Sequence, residues 1–180
     1  RFKISSEALE RLDTVQRRRN MVGSASCGLC GLENADALFT RLPRVTAPKI
    51  TTDIAAAALK SLSEHQPLNA VTRTVHAAAW AVLDGTIILA REDVGRHNAL
   101  DKLLGAMAAQ SLNSSDGFVV MSSRCSYEIV EKAARRGVGA LACVSAPTAF
   151  ALRKGREAGL DIYARLGSQA VLIRPNNTEF

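Results

Sequence analysis

Aromatic residues are scarce in this chain: one tryptophan, two tyrosines and five phenylalanines make up 4% of 180 residues. Base-stacking platforms are therefore few, and no DNA-binding motif spacing occurs, so nucleic acid is not an expected partner despite a formal charge of +6. Cysteines number four, too few for a secreted disulfide framework. A reducing cytoplasm is the expected location, and there a Cys-x-x-Cys pair is catalytic or metal-binding rather than a staple. No apolar run approaches the roughly 20 residues that span a bilayer, and nothing reads as a signal peptide, so no membrane association is expected. The chain begins at Arg1 rather than methionine, and an upstream segment is expected.

Apolar residues are plentiful at 47%, enough for a buried core in one domain, or one domain plus an arm. The arm is expected over residues 1–48. Phe2 to Ile4 could end a strand, and Ser6 caps a helix with apolar positions Ala8, Leu9, Leu12 and Val15. That helix ends at the basic run Arg17, Arg18 and Arg19, a solvated face or a surface for an acidic partner. Pro43 and Pro48 punctuate a linker-like stretch.

The α/β domain is expected over 49–180. Ile54 to Leu62 reads as an alanine-rich helix, and two apolar runs, Val75 to Leu83 and Thr86 to Ala90, are joined by Asp84-Gly85, a hairpin signal. Helices follow at Asn98 to Ala109, Tyr127 to Arg136 and Thr148 to Ala158, the last two closed by Gly137 and Gly159. Between and after them lie strands at Phe118 to Met121, Ala140 to Val144 and Leu160 to Tyr163, with Val171 to Ile173 as an edge. Strands alternating with helices of this length predict a layered α/β sheet with parallel pairing.

Chemistry concentrates at a few joins. Ser26-Cys27-Gly28-Leu29-Cys30-Gly31 sets two thiols two residues apart, each followed by glycine. A thiol pair on so free a backbone can take up and pass on sulfur or electrons. A zinc site would need two more ligands, and Cys125, Cys143, His65, His76 and His97 are isolated in sequence. Arg91-Glu92-Asp93-Val94-Gly95-Arg96-His97-Asn98 follows a strand and opens a helix, where an α/β sheet offers its ligand crevice. Asn98 is the expected N-cap, with free N–H groups beyond it that favour an anion. Ser122-Ser123-Arg124-Cys125-Ser126 and Ser145-Ala146-Pro147-Thr148 occupy two further strand-to-helix joins, with Pro147 set to start a helix. Each alone is ordinary capping; together they are expected to line one polar pocket for a phosphorylated or nucleotide-like ligand. Cys143, Trp80 and Tyr127 read as packing residues, and Cys125 as part of a pocket loop.

Four strings together carry a resemblance: Cys27-Gly-Leu-Cys30-Gly, Arg91 to Lys102, Ser123-Arg-Cys-Ser-Tyr-Glu-Ile-Val130 and Val144-Ser-Ala-Pro-Thr148. From about Met21 to Tyr163 the chain resembles the FdhD family, the accessory sulfurtransferases of formate dehydrogenases. The resemblance implies a layered mixed α/β sheet with helices on both faces, related to cytidine deaminases. It implies that Cys27 and Cys30 accept persulfide sulfur from a cysteine desulfurase. The acceptor would be the molybdenum cofactor, as bis-molybdopterin guanine dinucleotide, before it enters formate dehydrogenase. Cofactor-binding positions would be His76, Arg91, Asp93, Gly95, Arg96, His97 and Asn98, then Ser123, Arg124, Ser126, Ser145 and Thr148. Arg165, Gly167 and Ser168 fall at the family's binding stretch near the C-terminus, where the match is poorer and the segment shorter.

The deaminase relation excludes deamination here. A zinc deaminase needs His-x-Glu and then Pro-Cys-x-x-Cys, whereas this chain has His76-Ala77-Ala78 and Ser123-Arg124-Cys125-Ser126. Alanine shuttles no proton, so the cleft is expected to hold a guanine nucleotide such as GDP, with no structural metal. Two rival readings remain: a cofactor-binding chaperone that does no chemistry, and a zinc-stabilised nucleic-acid binder. A homodimer is the expected assembly.

Overall fold

The computed structural model describes residues 41–173. The expected N-terminal strand tail and helix, the arginine run and the Cys27/Cys30 loop lie outside the described residues.

Helix α1, Thr52–Ser61, begins at Thr51, whose hydroxyl accepts the Ile54 N–H at 3.2 Å. Asp53 in its first turn and Lys60 in its last complement the helix dipole. A 3-10 turn at Leu62–His65 and a short helix α2, Pro67–Thr72, follow. Sequence patterning does not announce α2. Its N-terminal N–H groups at Leu68 and Asn69 are capped by the Glu92 carboxylate, at 2.8 and 2.9 Å, from a distant strand.

Strands β1, His76–Val82, and β2, Ile87–Asp93, form the expected hairpin. Asp84 Oδ1 accepts the Thr86 N–H at 2.8 Å, and Gly85 takes φ +93°, a conformation that suits glycine. Helix α3, Arg96–Ala109, leads to β3, Gly117–Met121. Then come α4, Tyr127–Arg135, β4, Ala140–Cys143, α5, Ala149–Ala158, β5, Asp161–Leu166, and β6, Gln169–Leu172.

The sheet order is β2-β1-β3-β4-β5-β6. Parallel pairing holds for β3–β4–β5 as predicted, whereas β1 runs antiparallel to both of its neighbours and β6 returns antiparallel on β5. The sheet is therefore mixed, with helices on both faces. On one face Trp80, Val119, Met121 and Leu141 pack with Leu100, Leu103, Ile129 and Val130 from α3 and α4, and with Ala151 from α5. On the other, Ala77, Ala79, Phe118, Val120 and Tyr163 pack with Ala55, Ala58 and Leu59 of α1. The alanine-rich β1 is an interior strand, flanked by β2 and β3, where small residues let helices approach from both sides.

Three local expectations are corrected. Helix α3 starts at Arg96 with Gly95 as its N-cap, so Asn98 lies inside the first turn and donates instead to Asp93. Helix α5 is capped by Thr148, whose hydroxyl accepts the Ala151 N–H at 3.2 Å, so Pro147 precedes the cap rather than starting the helix. The stretch 41–48 is packed on the domain instead of linking to it. Leu42 is buried in the core, the Val45 N–H donates to the Ala158 carbonyl at 2.8 Å, and a Cβ at Gly139 would stand 2.0 Å from the Thr46 carbonyl oxygen. The compact unit accordingly begins at Arg41.

Candidate functional site

Because β3, β4 and β5 are parallel, their C-terminal ends lie along one edge of the fold, and antiparallel β1 begins at that edge. Helices α3, α4 and α5 start there, so the joins singled out by sequence do share one end of the sheet. Hydrogen bonds to and between main-chain groups hold the joins in place. Ser122 and Ala77 exchange two hydrogen bonds: the Ala77 N–H donates to Ser122 Oγ at 2.8 Å and the Ser122 N–H to the Ala77 carbonyl at 3.0 Å. The Thr148 N–H donates to the Cys125 carbonyl at 3.0 Å, linking the loops after β3 and β4.

At the centre stand His76, Arg96, His97, Ser126 and Glu128. His97 Nε2 lies 2.9 Å from Glu128 Oε2 and 3.3 Å from Ser126 Oγ. Burial, followed by the electrostatic influence of Arg96 and then of His97, lowers the His76 pKa below its ordinary 6.5, so this imidazole is neutral at pH 7. Glu128 is 4% exposed and sits in the first turn of α4, where helix N–H groups favour a carboxylate. Sequence reading passed over it because Tyr-Glu-Ile-Val looks like an ordinary helix start. Only its burial against a partner on another helix distinguishes it from a solvated glutamate.

Other expected residues are placed elsewhere or used internally. Asp93 Oδ1 accepts from the Gly95 N–H at 2.9 Å and from Asn98 Nδ2 at 3.2 Å, which ties Asp93, Gly95 and Asn98 into one turn. Arg91 reaches round the open edge of β2 to the Ala90 carbonyl at 2.7 Å. There it borders a separate cavity of about 530 Å³ with His65, Leu68, Glu92 and Lys102. Ser123 is buried and its hydroxyl donates to the Arg124 carbonyl, while the Arg124 side chain is exposed. Ser145 is half-buried, and Thr148 is used as the helix cap. Gly167 and Ser168 form the exposed β5–β6 turn at the same end of the sheet, with Gly167 at φ +62°, and Arg165 is exposed near the end of β5 beside it.

Cys125 does not line the pocket. It and Cys143 are fully buried side by side, and the Cys125 thiol together with burial pushes the Cys143 thiol well above its ordinary pKa. Among the described residues no group of three or more His, Cys, Asp or Glu is placed to hold a metal ion. Nor is any helix among them long and apolar enough to cross a membrane.

Comparison with known proteins fits this frame. A protein named "Sulfur carrier protein FdhD" from Xanthomonas euvesicatoria pv. vesicatoria is 47% identical over 163 residues, covering 89% of this chain and 57% of that protein. One of the same name from Bordetella petrii is 42% identical over 176 residues, covering 96% of this chain and 63% of that one. The chain thus spans less than two thirds of the length of these relatives. A crystal structure described as that of a formate dehydrogenase accessory protein from Desulfotalea psychrophila shares the fold. Its TM-score is 0.67 at 21% identity, covering 76% of this chain and 58% of that one. The FdhD/NarQ family model matches residues 2–173, nearly the whole sequence, and the chain belongs to that family.

Proposed function

We propose that the chain is a sulfur carrier. It would take persulfide sulfur from a cysteine desulfurase on Cys27 or Cys30 and pass it to bis-molybdopterin guanine dinucleotide held in the cleft around His97, in the service of formate dehydrogenase. The observation that carries this reading is the division of the four cysteines. Cys125 and Cys143 are both buried in the core, out of reach of a donor persulfide, and the Cys143 thiol, its pKa raised, is no nucleophile. A sulfur-carrying role therefore falls to Cys27 and Cys30, the Cys-x-x-Cys pair between glycines. The name "Sulfur carrier protein FdhD" borne by relatives at 42–48% identity supports the same role.

The chemistry balances within the pair. A thiolate of the pair attacks the outer sulfur of the donor persulfide; one S–S bond forms as another breaks, and the desulfurase cysteine leaves as thiolate. Delivering that sulfur as sulfide takes two electrons, supplied when the second thiol closes a Cys27–Cys30 disulfide. Arg96 and Arg124 suit the phosphates of the cargo, and the α3, α4 and α5 N-termini converge on the same end of the sheet.

The test is mass spectrometry of the peptide bearing Cys27 and Cys30 after incubation with desulfurase and cysteine. A mass gain of one sulfur on wild type, lost in Cys27→Ala/Cys30→Ala, is expected. Wild type that gains no sulfur yet binds the cofactor would instead be a non-catalytic chaperone. Full activation of formate dehydrogenase by the double variant would refute sulfur transfer.

A further inference from the structure

We propose that Glu128 is a positioning residue: it holds His97 as the Nε2–H tautomer, so that the ring offers Nδ1 to the cleft as an acceptor for an N–H or O–H donor of the bound nucleotide. This rests on the nucleotide-binding reading of the cleft.

A buried carboxylate needs hydrogen-bond donors, and an ionised one can only accept. With 2.9 Å between His97 Nε2 and Glu128 Oε2, the hydrogen between them belongs to Nε2. Ser126 Oγ, at 3.3 Å, lies against the same nitrogen. Nδ1 has no hydrogen-bond partner among the described residues, and the His97 side chain is 26% exposed. In a neutral imidazole with Nε2 protonated, Nδ1 carries the lone pair. It cannot bond the phosphodiester or pyrophosphate oxygens of a nucleotide, which are acceptors themselves. Guanine N1–H and N2–H and the ribose hydroxyls are donors that it can bond. His97 therefore selects the nucleoside portion of the cargo and leaves the phosphates to the arginines.

Long-range 1H–15N spectra of the histidine rings, recorded at about pH 8 above the ordinary imidazole range, test this. Wild type should show His97 solely as Nε2–H. Glu128→Leu, with folding checked by circular dichroism, should populate both tautomers and bind GDP about fivefold more weakly. Glu128→Gln, close to Glu in shape and so able to keep the fold, should also lose the exclusive Nε2–H form, because an amide can turn either its oxygen or its nitrogen to the ring. Guanosine and GDP should shift the His97 Nδ1 signal, and pyrophosphate should not. A wild-type proton on Nδ1, an unchanged tautomer in both variants, or GDP bound elsewhere in the cleft with Nδ1 unmoved would each overturn the inference alone. GDP that perturbs no cleft residue would overturn the nucleotide reading itself, and the inference with it.

Discussion

Lys102 Nζ lies 2.5 Å from Asp93 Oδ2 while the other oxygen of that carboxylate accepts from Gly95 and Asn98. One aspartate thereby joins the end of β2, the turn and the second turn of α3. Lys102 also donates to the Glu92 carbonyl at 3.2 Å, and Arg91 covers the Ala90 carbonyl, so cations guard two carbonyls of the edge strand. Much of the charged string from Arg91 to Lys102 is thus internal wiring.

The Asp93 contacts predict an acid-dependent effect. The Lys102 hydrogen bond, then those from Gly95 and Asn98, hold its pKa at about 2 against an ordinary 3.8. A depressed carboxylate stabilises the fold above its unfolded pKa and ceases to as pH falls through the folded value. Asp93→Asn should therefore be less stable than wild type above about pH 4, with the gap closing towards about pH 2. Chemical denaturation across that range reads it, and a gap independent of pH would contradict the assignment.

His76 predicts a dependence of the same sign in a higher pH window. Its pKa is lowered by burial, Arg96 and His97, so between that value and 6.5 the unfolded chain binds more protons than the folded one. The His76 contribution falls as pH drops from about 6.5, and His76→Asn should flatten the profile between about pH 7.5 and 5. NMR titration should place the His76 midpoint below that of an unfolded peptide. A midpoint at or above 6.5 would remove the basis for this prediction.

Glu92→Ala should cost about 1 kcal/mol, the usual cost of losing a helix cap. Hydrogen exchange at Leu68 and Asn69 should accelerate with it, since their N–H groups bond the Glu92 carboxylate. Unchanged protection at both amides would mean that α2 does not depend on this cap.

Gly139→Ala sets a methyl 2.0 Å from the Thr46 carbonyl oxygen and 2.9 Å from the Ala47 Cα, both backbone atoms. Destabilisation of roughly 2 kcal/mol or more is expected, with residues 41–48 gaining protease sensitivity. An undisturbed variant would show that the segment is not docked there.

Cys125 and Cys143 should resist maleimide in the native protein and react once it is denatured, since both are fully buried. Fast native labelling of either would return it to the list of sulfur carriers.

The hairpin at Asp84-Gly85, the helices closed by Gly137 and Gly159, the core roles of Trp80 and Cys143 and the alternation that builds the sheet were all legible in the sequence. Each depends on local backbone chemistry or on periodicity. The positive φ of Gly137 and Gly159, +83° and +78°, is the kind of local demand that a glycine advertises by itself. The family too was legible, because it rests on strings of residues. Tertiary structure alone decided the rest: that α2 forms under a carboxylate from β2, that residues 41–48 pack rather than link, that Arg91 turns to the sheet edge, and that Cys125 is buried. It alone set Glu128 beneath His97. These are contacts between residues far apart in the chain, and one-dimensional order carries no record of which distant groups a fold will bring within hydrogen-bond reach.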